Sequence, residues 1–280
     1  YNRTSALLGD IFAVVGRLLE VLGTVDRDES VARNTAEWLK LCSSKKSEWL
    51  ALRKARTEGA PMDDPAWGRS VLTQPSAIAT VQTFADEIGA LKVFDAGDVQ
   101  ANGFQINADR TPFQTITESG ASYMGFAGSA LLSAAAADDP RYMIAFSGDG
   151  SFMMNPQILV DAAVHKAHAM VVVFDNRRMG AISSLQMAQY HHDFGTNDDV
   201  AVDFVAMANA VSGVKGVFGG YSVAELKTAL REAYAHEGLS LVHVPVFWGE
   251  GPMAGMGAYG RWNVGPWVEE AERAYAGQEI

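Results

Sequence analysis

The feature that most constrains this chain is a pair of apolar runs set one helix apart. "MIAFSGDG" (143–150) and "AMVVVFDN" (169–176) are almost continuously apolar until each ends in polar turn residues. Between them, "NPQILVDAAVHKA" has helical spacing, and Pro156 suits a first helical turn. Two such strands with a helix between them read as a parallel β-α-β unit, buried on both faces. The same alternation continues on both sides. "SAIATVQTFADEIG" reads as a helix, "LKVFDAG" as a strand and turn, and "SYMGFAGSALLSAAAA" as a small-residue helix. "VDFVAMANAV", "VKGVFGG", "VAELKTALREAYAH" and "LSLVHVPVF" extend the pattern. The expected fold over residues 71–247 is therefore α/β, a mostly parallel sheet with helices on both faces.

The flanks read differently. Residues 1–60 form a helical segment, with "ALLGDIFAVVGRLLEVL" apolar at helical spacing and "VARNTAEWLKLCSSKKSEWLALRKAR" amphipathic and charged. Residues 61–70, in the Gly/Pro/Asp-rich stretch "TEGAPMDDPAWGRS", read as a linker. Residues 248–280, rich in Gly, Met and aromatics, read as a C-terminal flap that could cover a site.

Composition narrows the function. A net charge of −11 argues against a nucleic-acid partner. Cys42 is the one cysteine, so no disulfide framework exists, and a cytoplasmic setting is expected. No apolar run approaches the roughly 20 residues that span a bilayer, so no membrane partner is expected.

Parallel strands deliver their carboxyl ends to one edge of the sheet, where α/β proteins bind ligands. Asp149 ends one strand and Asn176 the next, with one helix and one strand, residues 151–174, between the two motifs. A carboxylate and an amide oxygen on one edge are hard ligands suited to Mg²⁺, with phosphate oxygens and water completing an octahedron. Gly148 and Gly150 allow close approach and unusual dihedrals, and Ser151 offers donors at the start of the following helix. The chemistry this implies is a metal ion holding a diphosphate.

Here the sequence resembles a known family. A Gly-Asp-Gly followed about 25 residues later by an Asn pair marks the thiamine diphosphate enzymes. "GDGSFMMN" and "FDNRRMGAISSLQ" are similar to the acetolactate synthase group, and closer still to the trihydroxycyclohexane-dione hydrolases of inositol breakdown. "ESGASYMGFAG" matches a segment of that branch, and "FDAGDVQANG" falls where the family's diphosphate loop lies. The resemblance spans roughly residues 70–247, the pyrophosphate-binding domain, and the helical start looks like the end of the family's central domain.

The resemblance implies thiamine diphosphate and Mg²⁺ as cofactors. Asp149, Asn176 and the carbonyl of Arg178 would ligate the metal, and Gly148, Gly150 and Ser151 would hold the diphosphate, with Gly97, Val99, Gln100 and Gly180 nearby. Ser122 would accept from the cofactor's 4′-amino group through its carbonyl, and Met124 would wedge between the two rings. Gln186 and His191 are candidate substrate-side groups; His192 could share an acid–base role, since histidine titrates near neutrality. Two positions depart from the usual family pattern: Asp175 replaces the first Asn of the pair, as in the hydrolase branch, and Asp98 puts a negative charge in the diphosphate loop. No stretch resembles the pyrimidine-binding domain, whose glutamate activates the cofactor in this family. The implied partner is therefore a pyrimidine-binding subunit or domain supplying that Glu, in a two-fold hetero-oligomer acting on a small-molecule carbonyl substrate. The implied reaction makes or cleaves a C–C bond next to a carbonyl, foremost as a diketone C–C hydrolase. The alternatives are an acetolactate synthase-like carboligase or decarboxylase of 2-oxo acids, and a non-catalytic cofactor-binding subunit.

Overall fold

The computed structural model describes residues 6–25, 29–118, 120–196 and 200–249. The chain divides into two compact units, residues 1–52 and 53–280. In the first, α1 (Ile11–Thr24) starts at Asp10, whose carboxylate accepts from the Ala13 N–H at 3.0 Å, and none of its residues is buried. The helix α2 (Glu29–Thr57) follows and runs on into the second unit.

The second unit is built on a sheet. Its strands are β1 (Met62–Asp64), β2 (Arg69–Thr73), β3 (Leu91–Phe94), β4 (Thr115–Thr117), β5 (Met143–Gly148), β6 (Ala169–Asp175), β7 (Lys215–Phe218) and β8 (Leu239–Phe247). They lie in the order β1-β2-β8-β6-β5-β3-β4, with β7 also beside β8. Every pairing is parallel except β1 with β2. That antiparallel pair occupies much of 61–70, where the sequence suggests a linker. Its turn is tied locally, because the Asp64 carboxylate accepts from the Ala66 N–H at 2.8 Å.

The helices are α3 (Gln74–Glu87), α4 (Asp98–Ile106), α5 (Phe126–Ala130), α6 (Ser133–Ala136), α7 (Asp149–Phe152), α8 (Ile158–His165), α9 (Gly180–Tyr190), α10 (Phe204–Asn209) and α11 (Val223–Tyr234). The apolar strands alternate between two cores. Phe94, Ile144, Phe146, Met170, Val172, Phe174, Val242 and Val244 face α3, α4 and α11. Val93, Met143, Ala145, Val171, Val173 and Leu241 face α5, α8 and α10 on the other side. Both faces are buried, which is why the central strands are mostly apolar on both sides rather than alternating, with Lys92, Ser147, Ser240 and His243 as buried polar exceptions.

The connection order sets the site. The chain leaves β3 through α4 to β4 on one side, then returns through α5 and α6 to β5 on the other side of β3. Successive crossovers thus depart in opposite directions from β3 and leave a crevice at the carboxyl ends of β3 and β5. The small-residue stretch 121–137 is two short helices rather than one. Gly125, at φ 92°, caps the first in the left-handed region, and helix begins only at Phe126. Among the described residues, no helix is long and apolar enough to cross a membrane.

Candidate functional site

A cavity of about 250 Å³ opens in this crevice. Gly97, Asp98 and Val99 after β3, Gly148–Ser151 after β5, and Asn176 and Arg178–Ile182 after β6 all line it. Gln74, Ala96, Ser122, Met124, Phe174 and Leu185 complete the wall. Of the residues the sequence singles out, Gly97, Val99, Ser122, Met124, Gly148, Asp149, Gly150, Ser151, Asn176, Arg178 and Gly180 therefore meet in one place. Gln100, Gln186 and His191 lie outside it. Gln100 donates to Thr117 Oγ1 at 2.7 Å and to the Glu118 carbonyl at 2.8 Å, and accepts from Ser122 Oγ at 3.2 Å. Its place is behind the cleft, holding the segment that carries Ser122. Gln186 accepts from the Phe194 N–H at 2.9 Å, and exposed His191 ends α9 in a left-handed turn at φ 54°. The flap reading of 248–280 falls, beyond Gly249, outside the described residues.

Asp149 and Asn176 are both buried, 6% and 7% exposed, at the ends of paired strands whose last register is Gly148 with Phe174. Asp149 opens the short helix α7 rather than a strained turn. Neither Gly148 nor Gly150 needs glycine-only dihedrals, since neither has positive φ. A Cβ at Gly150 would lie 2.8 Å from Met179 Sδ and 3.4 Å from Met124 Cε, both toward the ends of flexible side chains. The glycine lets backbone face the cleft directly.

The turn after β6 is shaped by its own side chains. Asp175 Oδ1 accepts from the Arg177 N–H at 2.9 Å, and Asn176 Oδ1 accepts from the Arg178 N–H at 3.1 Å. These two overlapping turns hold Arg177 at φ 55° in the left-handed region. The Arg178 guanidinium bridges to Asp193 Oδ2 at 2.6 Å and lies 3.7 Å from the Trp248 ring centroid. Among the described residues, Arg178 is the one arginine on the cleft wall, and it is already paired with a carboxylate.

Asp98 stands apart. Its carboxylate lines the cleft, is deeply buried, and has no hydrogen-bond partner on either oxygen. Burial alone raises its pKa to about 7, because the charged form has lost water and gained no donor. It fits because residue 180 is glycine: a Cβ there would sit 2.1 Å from Asp98 Oδ2. The side chain that the sequence marks as a negative charge in the diphosphate loop thus turns into the cleft.

Asp95 is a residue the sequence reading missed. It is fully buried, accepting from Ser147 Oγ at 2.7 Å, the Gly125 N–H at 2.9 Å and the Ala96 N–H at 3.0 Å. Burial raises its pKa, and these hydrogen bonds oppose the shift. It ties the ends of β3 and β5 to the residue after Met124. The one signal for it was an acid directly following the short strand in "KVFDAG".

The cleft fits a divalent ion and a diphosphate. Hard oxygen donors converge, glycines leave room for phosphates, and an unpartnered buried carboxylate faces the space. Among the described residues no three His, Cys, Asp or Glu side chains form a metal cluster. An ion here would therefore complete its shell with backbone, ligand and water oxygens.

Comparison with known proteins agrees. Residues 95–244, more than half of the chain, match the model of the thiamine pyrophosphate enzyme C-terminal TPP-binding domain, and the chain belongs to this family. The family's cofactor is thiamine diphosphate with a divalent metal ion, typically Mg²⁺. Among curated relatives, 3D-(3,5/4)-trihydroxycyclohexane-1,2-dione hydrolase 2 of Bacillus cereus is 31% identical over 188 residues, covering 62% of this chain and 29% of its own. The enzyme of that name from Bacillus subtilis is 29% identical over 181 residues, covering 62% and 28%. The chain thus spans about three-tenths of the length of these relatives. A solved structure, the thiamine diphosphate-dependent 4-hydroxybenzoylformate decarboxylase of Rhodococcus jostii, shares the fold with a TM-score of 0.59 at 21% identity. That match covers 69% of this chain and 35% of the decarboxylase.

Proposed function

We propose that this chain is the pyrophosphate-binding half of a thiamine diphosphate–Mg²⁺ enzyme that cleaves a C–C bond next to a carbonyl, hydrolytically, in a small diketone. The observation that carries this is the convergence of Asp149, Asn176, Arg178, Gly150, Ser151 and Met124 on one cleft at the strand ends. Asp149, Asn176 and the Arg178 carbonyl would hold the metal, and the metal the diphosphate. Gly150 and Ser151 would let backbone donors approach the phosphate oxygens at the start of α7. Ser122 would take the 4′-amino group on its carbonyl. Met124, positioned through the Asp95–Gly125 hydrogen bond, would hold the two cofactor rings in a bent arrangement. When bound, thiamine diphosphate supplies a nucleophilic C2 and an electron sink. The protein's share is positioning and exclusion of water.

The hydrolytic reading rests on the names of the relatives, and the 2-oxo acid carboligase or decarboxylase is its alternative. Incubating the assembled enzyme with a cyclic 1,2-diketone, or with pyruvate, separates them: ring opening with uptake of water supports the first, release of CO₂ the second.

Among the described residues no glutamate lines the cleft, whereas the family uses a glutamate at N1′ of the aminopyrimidine. We therefore propose that a pyrimidine-binding domain or subunit completes the site, with two copies of each half in a two-fold assembly. The test is exchange of the cofactor C2 proton. The chain alone should not accelerate it, and the chain mixed with its partner should. Acceleration by the isolated chain would refute the split site.

A further inference from the structure

The family pattern puts Asn where this chain has Asp175, and the structure shows what that carboxylate holds. Asp175 is buried at 3% exposure, at the end of β6 beside the proposed ligand Asn176. One oxygen accepts the Arg177 N–H. The other lies 2.8 Å from Nε2 of His243, 68 residues away on β8. His243 is itself 7% exposed, inside an aromatic box of Trp67, Phe204 and Phe218 at centroid distances of 6.0, 5.2 and 5.8 Å. The Asp175 carboxylate thus joins the metal turn to a neighbouring strand.

The turn needs an outside hold. Arg177 is a non-glycine residue at φ 55°, a conformation that costs of order 1 kcal/mol and persists only where surroundings enforce it. Two further contacts restrain the same residue: Arg177 Nη1 donates to the Ala66 carbonyl at 3.3 Å, and its guanidinium lies 4.8 Å from the Trp67 ring centroid. Trp67 in turn flanks His243. A kink stabilised from one side by the hairpin turn and from the other by His243 presents the Asn176 side chain and the Arg178 carbonyl in a fixed relation.

We propose that His243 is a positioning residue for the metal centre. It acts through Asp175 by donating Nε2–H, so that the turn is pre-shaped before any metal binds. The inference rests on the metal–diphosphate reading above. It differs from packing in what it requires of residue 243, a hydrogen-bond donor rather than a ring.

Two substitutions separate these. His243→Phe keeps a ring in the aromatic box and removes the donor; His243→Gln restores a donor and loses the ring. The readout is the Mn²⁺ dissociation constant of the full chain in the presence of inorganic pyrophosphate, followed by the electron paramagnetic resonance signal of free Mn²⁺, with thermal unfolding recorded in parallel. His243→Phe should weaken Mn²⁺ at least tenfold, and His243→Gln should stay within about threefold of wild type, whatever the order of their melting temperatures. If His243→Phe fails to fold with a stranded carboxylate, Asp175→Asn removes the charge, and adding His243→Phe to it should still weaken Mn²⁺ at least fivefold. The proposal is overturned by wild-type affinity in His243→Phe, by His243→Gln as weak as His243→Phe, or by no loss in the double variant relative to Asp175→Asn. A wild-type chain lacking a pyrophosphate-dependent Mn²⁺ site removes the metal–diphosphate reading itself and this inference with it.

Discussion

Asp98 gives the sharpest quantitative expectation. In the unfolded chain its carboxyl titrates near 3.8, and in the folded chain at about 7. The native state therefore holds a proton that the unfolded state has released, throughout the window between these values. Stability linked to this group is complete below about pH 4 and is lost progressively as pH rises to about 7. A gap of roughly 3 units at about 1.4 kcal/mol each sets the ceiling near 4 kcal/mol. Between pH 5.5 and 8 the wild-type chain, free of ligands, should lose about 2 kcal/mol through Asp98, since the folded group ionises near 7. For a unit of roughly 200 residues that corresponds to a fall in melting temperature of about 4–8 °C.

Asp98→Asn removes the titration and leaves the shape. Its stability should follow the wild type at pH 4 and exceed it at pH 8, with the difference growing across the window. Urea unfolding of both chains at half-unit pH steps measures this directly, because every other titrating group is common to the two and cancels in the difference. Parallel profiles would refute the reasoning: they would mean that Asp98 is hydrated or paired in solution, and that the buried, partnerless carboxylate is not its ground state.

Three other expectations follow from the cleft. Asp149→Ala should weaken Mg²⁺-dependent binding of thiamine diphosphate to the assembled enzyme at least tenfold, about 1.4 kcal/mol or more by calorimetry, since the phosphate charge loses a metal ligand. Met124→Ala should lower turnover more than cofactor affinity, which steady-state rates and calorimetry separate. Gly180→Ala should destabilise the chain by about 1–3 kcal/mol in thermal unfolding, because its methyl group meets the Asp98 carboxylate, and Asp98→Ala in the same chain should relieve most of that cost.

The parts legible in the sequence were those with a short-range cause. Strands buried on both faces must be mostly apolar on both sides, so β5, β6 and β8 were plain in "MIAFSG", "AMVVVFD" and "LSLVHVPVF". The spacing from Asp149 to Asn176 followed from one helix and one strand, and parallel pairing placed both at one edge. What stayed hidden was set by residues far apart in the chain. Nothing local marks Asp98 as buried, since its environment comes from Gly180 and the α9 terminus. Asp175 looked like a departure from a pattern until His243 supplied its partner. Gln186 and His191 follow the metal strand closely in sequence. Yet α9 turns Ala181, Ile182 and Leu185 toward the cavity and Gln186 toward Phe194. The linker-like composition of 61–70 concealed a strand pair, because Asp, Pro and Gly there build its turn.

That strand pair gives the sheet's far edge a part in holding the turn after β6. Asp64 accepts the Ala66 N–H with one oxygen and the Trp248 N–H with the other, at 2.8 and 3.1 Å. The first bond fixes the turn whose Ala66 carbonyl and Trp67 ring receive Arg177. The second fixes the residue whose ring lies against Arg178. One buried carboxylate therefore anchors the neighbours of both arginines in the turn after β6, while Asp175 and His243 anchor its beginning. The parallel strands bring Asp149 and Asn176 to the same edge, and the Asp175 and Asn176 side chains bend the backbone that follows. The side chains of Arg177 and Arg178 need fixed acceptors and rings to pack on, and the antiparallel pair and the end of β8 provide them. The Arg178 carbonyl itself accepts from the Gly180 N–H at 2.8 Å, so local bonds set its direction while residues 64–67, 243 and 248 hold the side chains around it.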